Sequence, residues 1–142
     1  MTSAPKIYFL DNGIRNQLFG GFAELDRRGD RGAVLENFVF CELYKTMNPI
    51  LDEARYWRSK SGAEVDFILE SGGEISAFEV KPTLPRARIS KSTRSFIEAY
   101  RPARFYYVTD QTHADLELDN TIIRFIHYKN IGSVIQYEKK VF

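Results

Sequence analysis

Cysteine and histidine are scarce in this chain, and each scarcity closes a chemical route. The one cysteine, Cys41, has no partner for an intramolecular disulfide and lies in an apolar stretch, which suits a reducing cytoplasm and implies no redox role. The two histidines, His113 and His127, share no metal-ligand spacing with each other or with Cys41, so both read as structural or surface residues. No G-x-S-x-G elbow supports Ser-His-Asp chemistry. No phosphate-binding G-x4-G-K-S/T loop occurs, so this piece should not itself hydrolyse ATP. No apolar run approaches the roughly 18 residues that span a bilayer, and no signal-peptide pattern opens the chain, so a soluble cytoplasmic domain without a membrane partner is expected. A charge excess is missing too: the formal net charge is +1, and any basic surface must be local. What remains is 142 residues, 44% hydrophobic and 14% aromatic, the size of one compact domain with a substantial core. Residues 1–5 read as disordered or artificially added, and the abrupt strand after them suggests a fragment of a longer protein.

Periodicity and breakers divide the chain as follows. Lys6 to Leu10 reads as a short strand ended by the Asp11-Asn12-Gly13 turn, and Ile14 to Phe19 as a short helix closed by Gly20-Gly21. The charged segment Leu25 to Gly32 is a solvated connection. A helix from Ala33 to Met47, stopped by Asn48-Pro49, is apolar nearly all round and therefore central. Three strands follow, Ala54 to Arg58, Glu64 to Leu69 and Ile75 to Lys81. Ser61-Gly62 and Gly72-Gly73 separate them, which predicts an antiparallel meander. Ile89 to Tyr100 has helical spacing, and Arg104 to Thr109 reads as a buried strand. Thr121 to Ile126 adds a strand and Ile131 to Tyr137 a short closing element. The expected class is α/β: a helix, a three-stranded antiparallel meander, a helix and a strand, with N- and C-terminal accessory elements.

The meander carries the chemistry. With Gly72-Gly73 as a two-residue loop, Ser71 pairs with Glu74, and counting back sets Asp66 opposite Glu79 and Glu64 opposite Lys81. Alternation then puts Glu64, Asp66 and Ile68 on one face with Ala77, Glu79 and Lys81, and leaves Val65, Phe67, Leu69, Phe78 and Val80 for the core. Two opposed carboxylates repel unless a cation lies between them. Mg2+ or Mn2+ takes oxygen ligands of this kind, and Lys81 beside it can orient or deprotonate a water. Glu36 shares a helical face with Val39, Phe40 and Leu43, where an unpaired carboxylate is costly, so it needs a partner. The same residues also allow a solvent face with a Glu64–Lys81 ion pair and a Glu36 bridge to Arg55 or Arg58.

The segments Arg31-Gly32-x3-Glu36-Asn37-x4-Glu42-Leu43, Tyr56-Trp57-Arg58-x3-Gly62-x-Glu64-Val65-Asp66-Phe67-Ile68 and Glu79-Val80-Lys81 together carry a resemblance, as does the opening Tyr8-Phe9-Leu10-Asp11-Asn12-Gly13. They resemble the domain that follows the ATPase module in many prokaryotic AAA-type ATPases, over about residues 6 to 110. The resemblance implies a PD-(D/E)XK, restriction-endonuclease-like core whose active site is Glu36, Asp66, Glu79 and Lys81. It also implies an ATPase module N-terminal to this piece in the same polypeptide.

Arg86, Arg88, Lys91 and Arg94 cluster just beyond these residues and are candidate phosphate contacts, with a solvated helix face as the alternative. Trp57 could stack on a base but reads more simply as core. The leading expectation is a metal-dependent nuclease domain acting on nucleic acid, most simply DNA. In it Asp66, Glu79, Glu36 and the Val80 carbonyl hold Mg2+ or Mn2+, and Lys81 activates water. The alternative is a nuclease-fold module that binds nucleic acid or protein without cutting and positions the ATPase. A structural dimerisation domain is favoured if the acids are tied up in ion pairs, and the tail after Thr109 could serve a homo-oligomer.

Overall fold

The computed structural model describes residues 5–19, 21–48 and 50–140. The expectations for residues 1–4, for Gly20 in a helix closure and for Pro49 as a helix stop lie outside the described residues. Among those described, the order is α1 (Asn12–Phe19), α2 (Arg31–Thr46), β1 (Glu53–Arg58), β2 (Glu64–Ser71), β3 (Glu74–Val80), α3 (Lys91–Tyr100), β4 (Arg104–Thr109), β5 (His113–Leu118), β6 (Thr121–His127) and α4 (Ile131–Lys140). This is a mixed α/β fold with one six-stranded sheet in the order β1-β2-β3-β4-β6-β5. The first three strands form the antiparallel meander, while β4 runs parallel to β3 and to β6.

Gly72 and Gly73 both take positive φ, 59° and 82°, which a tight hairpin turn demands and glycine tolerates without a Cβ penalty. They set Ser71 opposite Glu74, the expected register, which then runs to Phe67 opposite Phe78. The sheet is covered on both sides. On one, Leu35, Val39 and Leu43 of α2 with Ile131 and Ile135 of α4 pack on Phe67, Leu69, Phe78, Val80, Tyr106 and Val108. On the other, Phe96 and Ile97 of α3 pack on Val65, Ala77, Phe105, Tyr107, Ile123 and Phe125. Phe96 and Ile97 are fully buried, and each such side chain contributes about 1.5–3 kcal/mol of transfer free energy. The strand face expected to be polar is therefore half of the core.

Several boundaries differ from the sequence reading. Lys6 to Leu10 is extended but not a strand, because the Asn37 side chain, rather than a neighbouring strand, pairs with the backbone of Phe9. Asp11 begins a helix instead of a turn: its carboxylate accepts the Ile14 N–H at 3.0 Å, which satisfies one of the orphan donors of α1. Arg31 and Gly32 belong to α2, not to a loop. Ser90 caps α3 by accepting the Thr93 N–H, so that helix starts at Lys91. Strand β5 has no counterpart in the sequence reading, and the closing element extends to a ten-residue helix, α4.

Candidate functional site

The bend in β2 decides where the acids point. Arg55 pairs with Ile68, yet Trp57 pairs with Val65, so two steps along β1 match three along β2. The extra residue is a β-bulge at Asp66 and Phe67 opposite Tyr56, a device common beside functional sites because it re-aims a side chain. Its effect is visible in the packing. Phe67 and Leu69 join the α2 side, whereas Val65 joins the α3 side against the expected alternation.

Asp66 is turned toward α2 by this bulge. Its Oδ2 accepts the Val80 N–H at 2.8 Å, and its Oδ1 lies 3.2 Å from the Lys6 Nζ. The same ammonium is 3.0 Å from Glu36 Oε1, which also accepts the Tyr8 hydroxyl at 2.5 Å. One cationic nitrogen thus bridges the helix acid and the strand acid. Burial raises the Asp66 carboxyl above its usual range, with the Glu36 charge acting in the same sense against the Val80 N–H and Lys6. For Lys6, burial pulls the ammonium down, but Asp66 and Glu36 outweigh it and hold it above an ordinary lysine. Burial and the Glu36 bond push the Tyr8 phenol far up.

Glu79 faces the other way, under α3. Its side chain is 6% exposed and both oxygens are engaged: Oε1 lies 2.6 Å from Lys81 Nζ, and Oε2 accepts the Thr93 hydroxyl at 3.0 Å. Thr93 in turn bonds the Tyr107 hydroxyl, which accepts the Ser90 N–H at 3.0 Å. Burial opposes the charge on Lys81, but Glu79 outweighs it and keeps the amine protonated beyond the usual lysine range. The expected face-to-face opposition of Asp66 and Glu79 is therefore corrected. The bulge places them on opposite sides of the strand end, joined through the backbone of Val80, whose N–H is engaged by Asp66. Glu64 and Lys81 are not a cross-strand pair either: Glu64 binds Arg58 at 2.9 Å. Arg55 pairs with Glu53, and Glu36 has taken Lys6 instead of Arg55 or Arg58.

A metal site can be tested on these positions. A hard divalent ion takes one or two carboxylates and fills its shell with water and phosphate oxygens, and Glu36 with Asp66 already converge on a single cation. Glu79 does not join them, and no group of three or more His, Cys, Asp or Glu residues is arranged to hold a metal among the described residues. The fit is to a two-carboxylate site on Glu36 and Asp66, with Glu79 holding Lys81.

Arg31 locks the two halves together. Its guanidinium donates to the Pro82 carbonyl at 3.0 Å and to Thr83 at 3.2 Å, so the start of α2 is fixed to the chain just beyond Lys81. Past that point Arg86, Arg88, Lys91 and Arg94 are all exposed on one stretch of chain. Trp57 is half-buried and packs edge-on against Phe96 and Tyr100, at the rim of the α3-side core. His113 bonds the Leu84 carbonyl at 2.6 Å and His127 accepts the Lys129 N–H, both structural roles.

Sequence reasoning missed Lys6, Tyr8, Asn37, Thr93 and Tyr107. A usable signal existed for Asn37, the amide beside Glu36 in an otherwise apolar stretch. It is 3% exposed, and it accepts the Phe9 N–H at 2.8 Å, donates to the Phe9 carbonyl at 3.0 Å and reaches Asn12 at 2.8 Å. Thr93 and Tyr107 carry no signal short of the fold.

A family profile described as "Domain of unknown function (DUF4143)" matches residues 31–131. Uncharacterized proteins of Mycobacterium bovis and Mycobacterium tuberculosis are each 33% identical over 122 residues, which is 84% of this chain. The chain spans only 27% of the length of these curated relatives.

Proposed function

The chain belongs to the DUF4143 family, a domain commonly found in AAA-ATPase-associated proteins, and from that premise we propose a metal-dependent phosphodiesterase that cleaves nucleic acid. The core elements, α2, the β1–β3 meander, α3 and β4, follow the order of a restriction-endonuclease-like fold, to which we assign the domain. One observation carries the reading: the bulged end of β2 brings Asp66 onto the Val80 N–H, between Glu79 and Lys81, while Glu36 shares a cation with it. When bound, Mg2+ or Mn2+ supplies a Lewis acid and an acidified water. Asp66 and Glu36 are the residues that would hold that ion. Glu79 is a positioning residue that keeps the Lys81 ammonium at the strand end, where it faces the charge of a scissile phosphate. The exposed cations Arg86, Arg88, Lys91 and Arg94 contact the backbone of the nucleic acid, DNA in the simplest case. The full-length protein couples this domain to an ATPase module.

Mg2+-dependent cleavage of labelled DNA is expected from the wild type and is lost in Asp66→Ala and Lys81→Ala, both still folded by circular dichroism. Intact cleavage in both variants removes the assignment. A second reading has its own support, since Lys6 already ion-pairs with both Glu36 and Asp66: a non-cutting module that binds nucleic acid or protein for the ATPase. DNA binding without cleavage in the presence of Mg2+ selects it.

A further inference from the structure

Lys6 stands where a metal must go, and it arrives on a strap. The extended residues 5–9 run over α2 and are held to it at Phe9 by the Asn37 amide, with the Cys41 thiol donating to the Phe9 carbonyl at 3.2 Å. Tyr8 anchors the segment by stacking on Phe40 at 4.7 Å. Beyond these anchors the strap is thinly covered: Ile7 is 80% exposed, and a cavity of about 370 Å³ lies between the strap, Arg15 and Glu36. The ammonium is half-buried and reaches two carboxylates that, left alone, would repel one another.

We propose that residues 5–9 form a built-in inhibitory strap, whose Lys6 ammonium competes with a divalent cation for Glu36 and Asp66. This rests on the metal-dependent reading above and adds its regulation. With the strap closed, the acid pair is satisfied and the site is silent. With it open, Glu36 and Asp66 are free for the metal. A site whose competent form is a minor state has its apparent affinity reduced by the fraction that is open, so a strap open about 1–10% of the time weakens metal binding about 10- to 100-fold. Only a cation at residue 6 can do this. A neutral side chain of similar length leaves the strap anchored at Tyr8 and Phe9 but gives up the site.

The test is Mn2+ titration of the full chain by electron paramagnetic resonance, in wild type, Lys6→Met, Lys6→Arg and Lys6→Met/Asp66→Asn. Lys6→Met is expected to bind about 10- to 100-fold more tightly than wild type. Lys6→Arg should stay near wild type, and the double variant should lose binding. Equal Mn2+ affinity in wild type and Lys6→Met, abolished in Lys6→Met/Asp66→Asn, overturns the strap and leaves the metal site standing. No binding by folded Lys6→Met overturns the metal site and the strap with it.

Discussion

Replacing Asn37 by alanine should loosen one segment and spare the sheet. The Asn37 amide acts as a strand edge: it accepts the Phe9 N–H at 2.8 Å and donates to the Phe9 carbonyl at 3.0 Å, from a side chain 3% exposed. Each such bond contributes about 0.5–1.5 kcal/mol net, so the two together hold residues 5–9 by about 1–3 kcal/mol. At about 1.4 kcal/mol per factor of ten, the Phe9 amide should exchange about 5- to 150-fold faster in Asn37→Ala. Hydrogen exchange read residue by residue makes the comparison, with the Phe78 amide in β3 as an internal reference. Local release predicts a fast Phe9 and a Phe78 that quickens far less. Two results contradict local release: Phe9 exchange equal to wild type, or Phe9 and Phe78 accelerated by the same factor, which marks global destabilisation alone.

Two further outcomes follow from the charges. Changing Arg88 and Lys91 to glutamate should weaken DNA binding for all sequences alike, and should reduce the salt slope of log K by about 0.9 for each duplex phosphate that is no longer neutralised. Fluorescence anisotropy from low to high salt measures that slope, and an unchanged value removes these residues from the interface. Asp30 is held well below the usual carboxylate range by its bond to Arg28 and then by Arg15. A depressed folded value means the unfolded chain binds the proton first, so this stability is present above the unfolded value, near pH 4, and is lost as pH falls from there toward the folded value. The urea midpoint of Asp30→Asn should therefore be lower than wild type at pH 6 and vary less steeply with pH below about 4. Parallel wild-type and variant curves across that range contradict the pairing.

The legible parts of the fold are those written in local chemistry. Gly72-Gly73 announces a hairpin and its register because glycine takes that pair of positive φ values without a Cβ penalty, and the structure keeps Ser71 opposite Glu74. The meander, the central α2 and the buried β4 are legible for the same reason. The bulge is not. Glu64-Val-Asp-Phe-Ile-Leu69 holds no glycine or proline to mark a break, and when both faces of a strand are buried, periodicity cannot reveal an extra residue. That slip moves Asp66 away from Glu79 and toward Glu36. Lys6 reads as part of a strand because it opens the β-prone run Ile7-Tyr-Phe-Leu10, which the Asp11-Asn12-Gly13 turn signal closes. Its bonds lie thirty and sixty residues away, beyond any local pattern. Strand β5, His-Ala-Asp-Leu-Glu-Leu, is an edge strand with charge on its open side and so resembles a loop. Tyr107 reads as core and is core, but its hydroxyl gains a role only once α3 sets Ser90 and Thr93 beside it.

On the proposed reading, Asp66 with Glu36 holds a divalent cation that the domain uses to cut a nucleic-acid backbone. Calorimetry of Mg2+ and Mn2+ binding to wild type and Asp66→Asn, followed on the same samples by cleavage of labelled linear and branched DNA, tests it most directly. Binding and cutting by the wild type, and the loss of both in Asp66→Asn, are expected. Cutting that persists in Asp66→Asn, or a wild type that neither binds metal nor cuts, contradicts it.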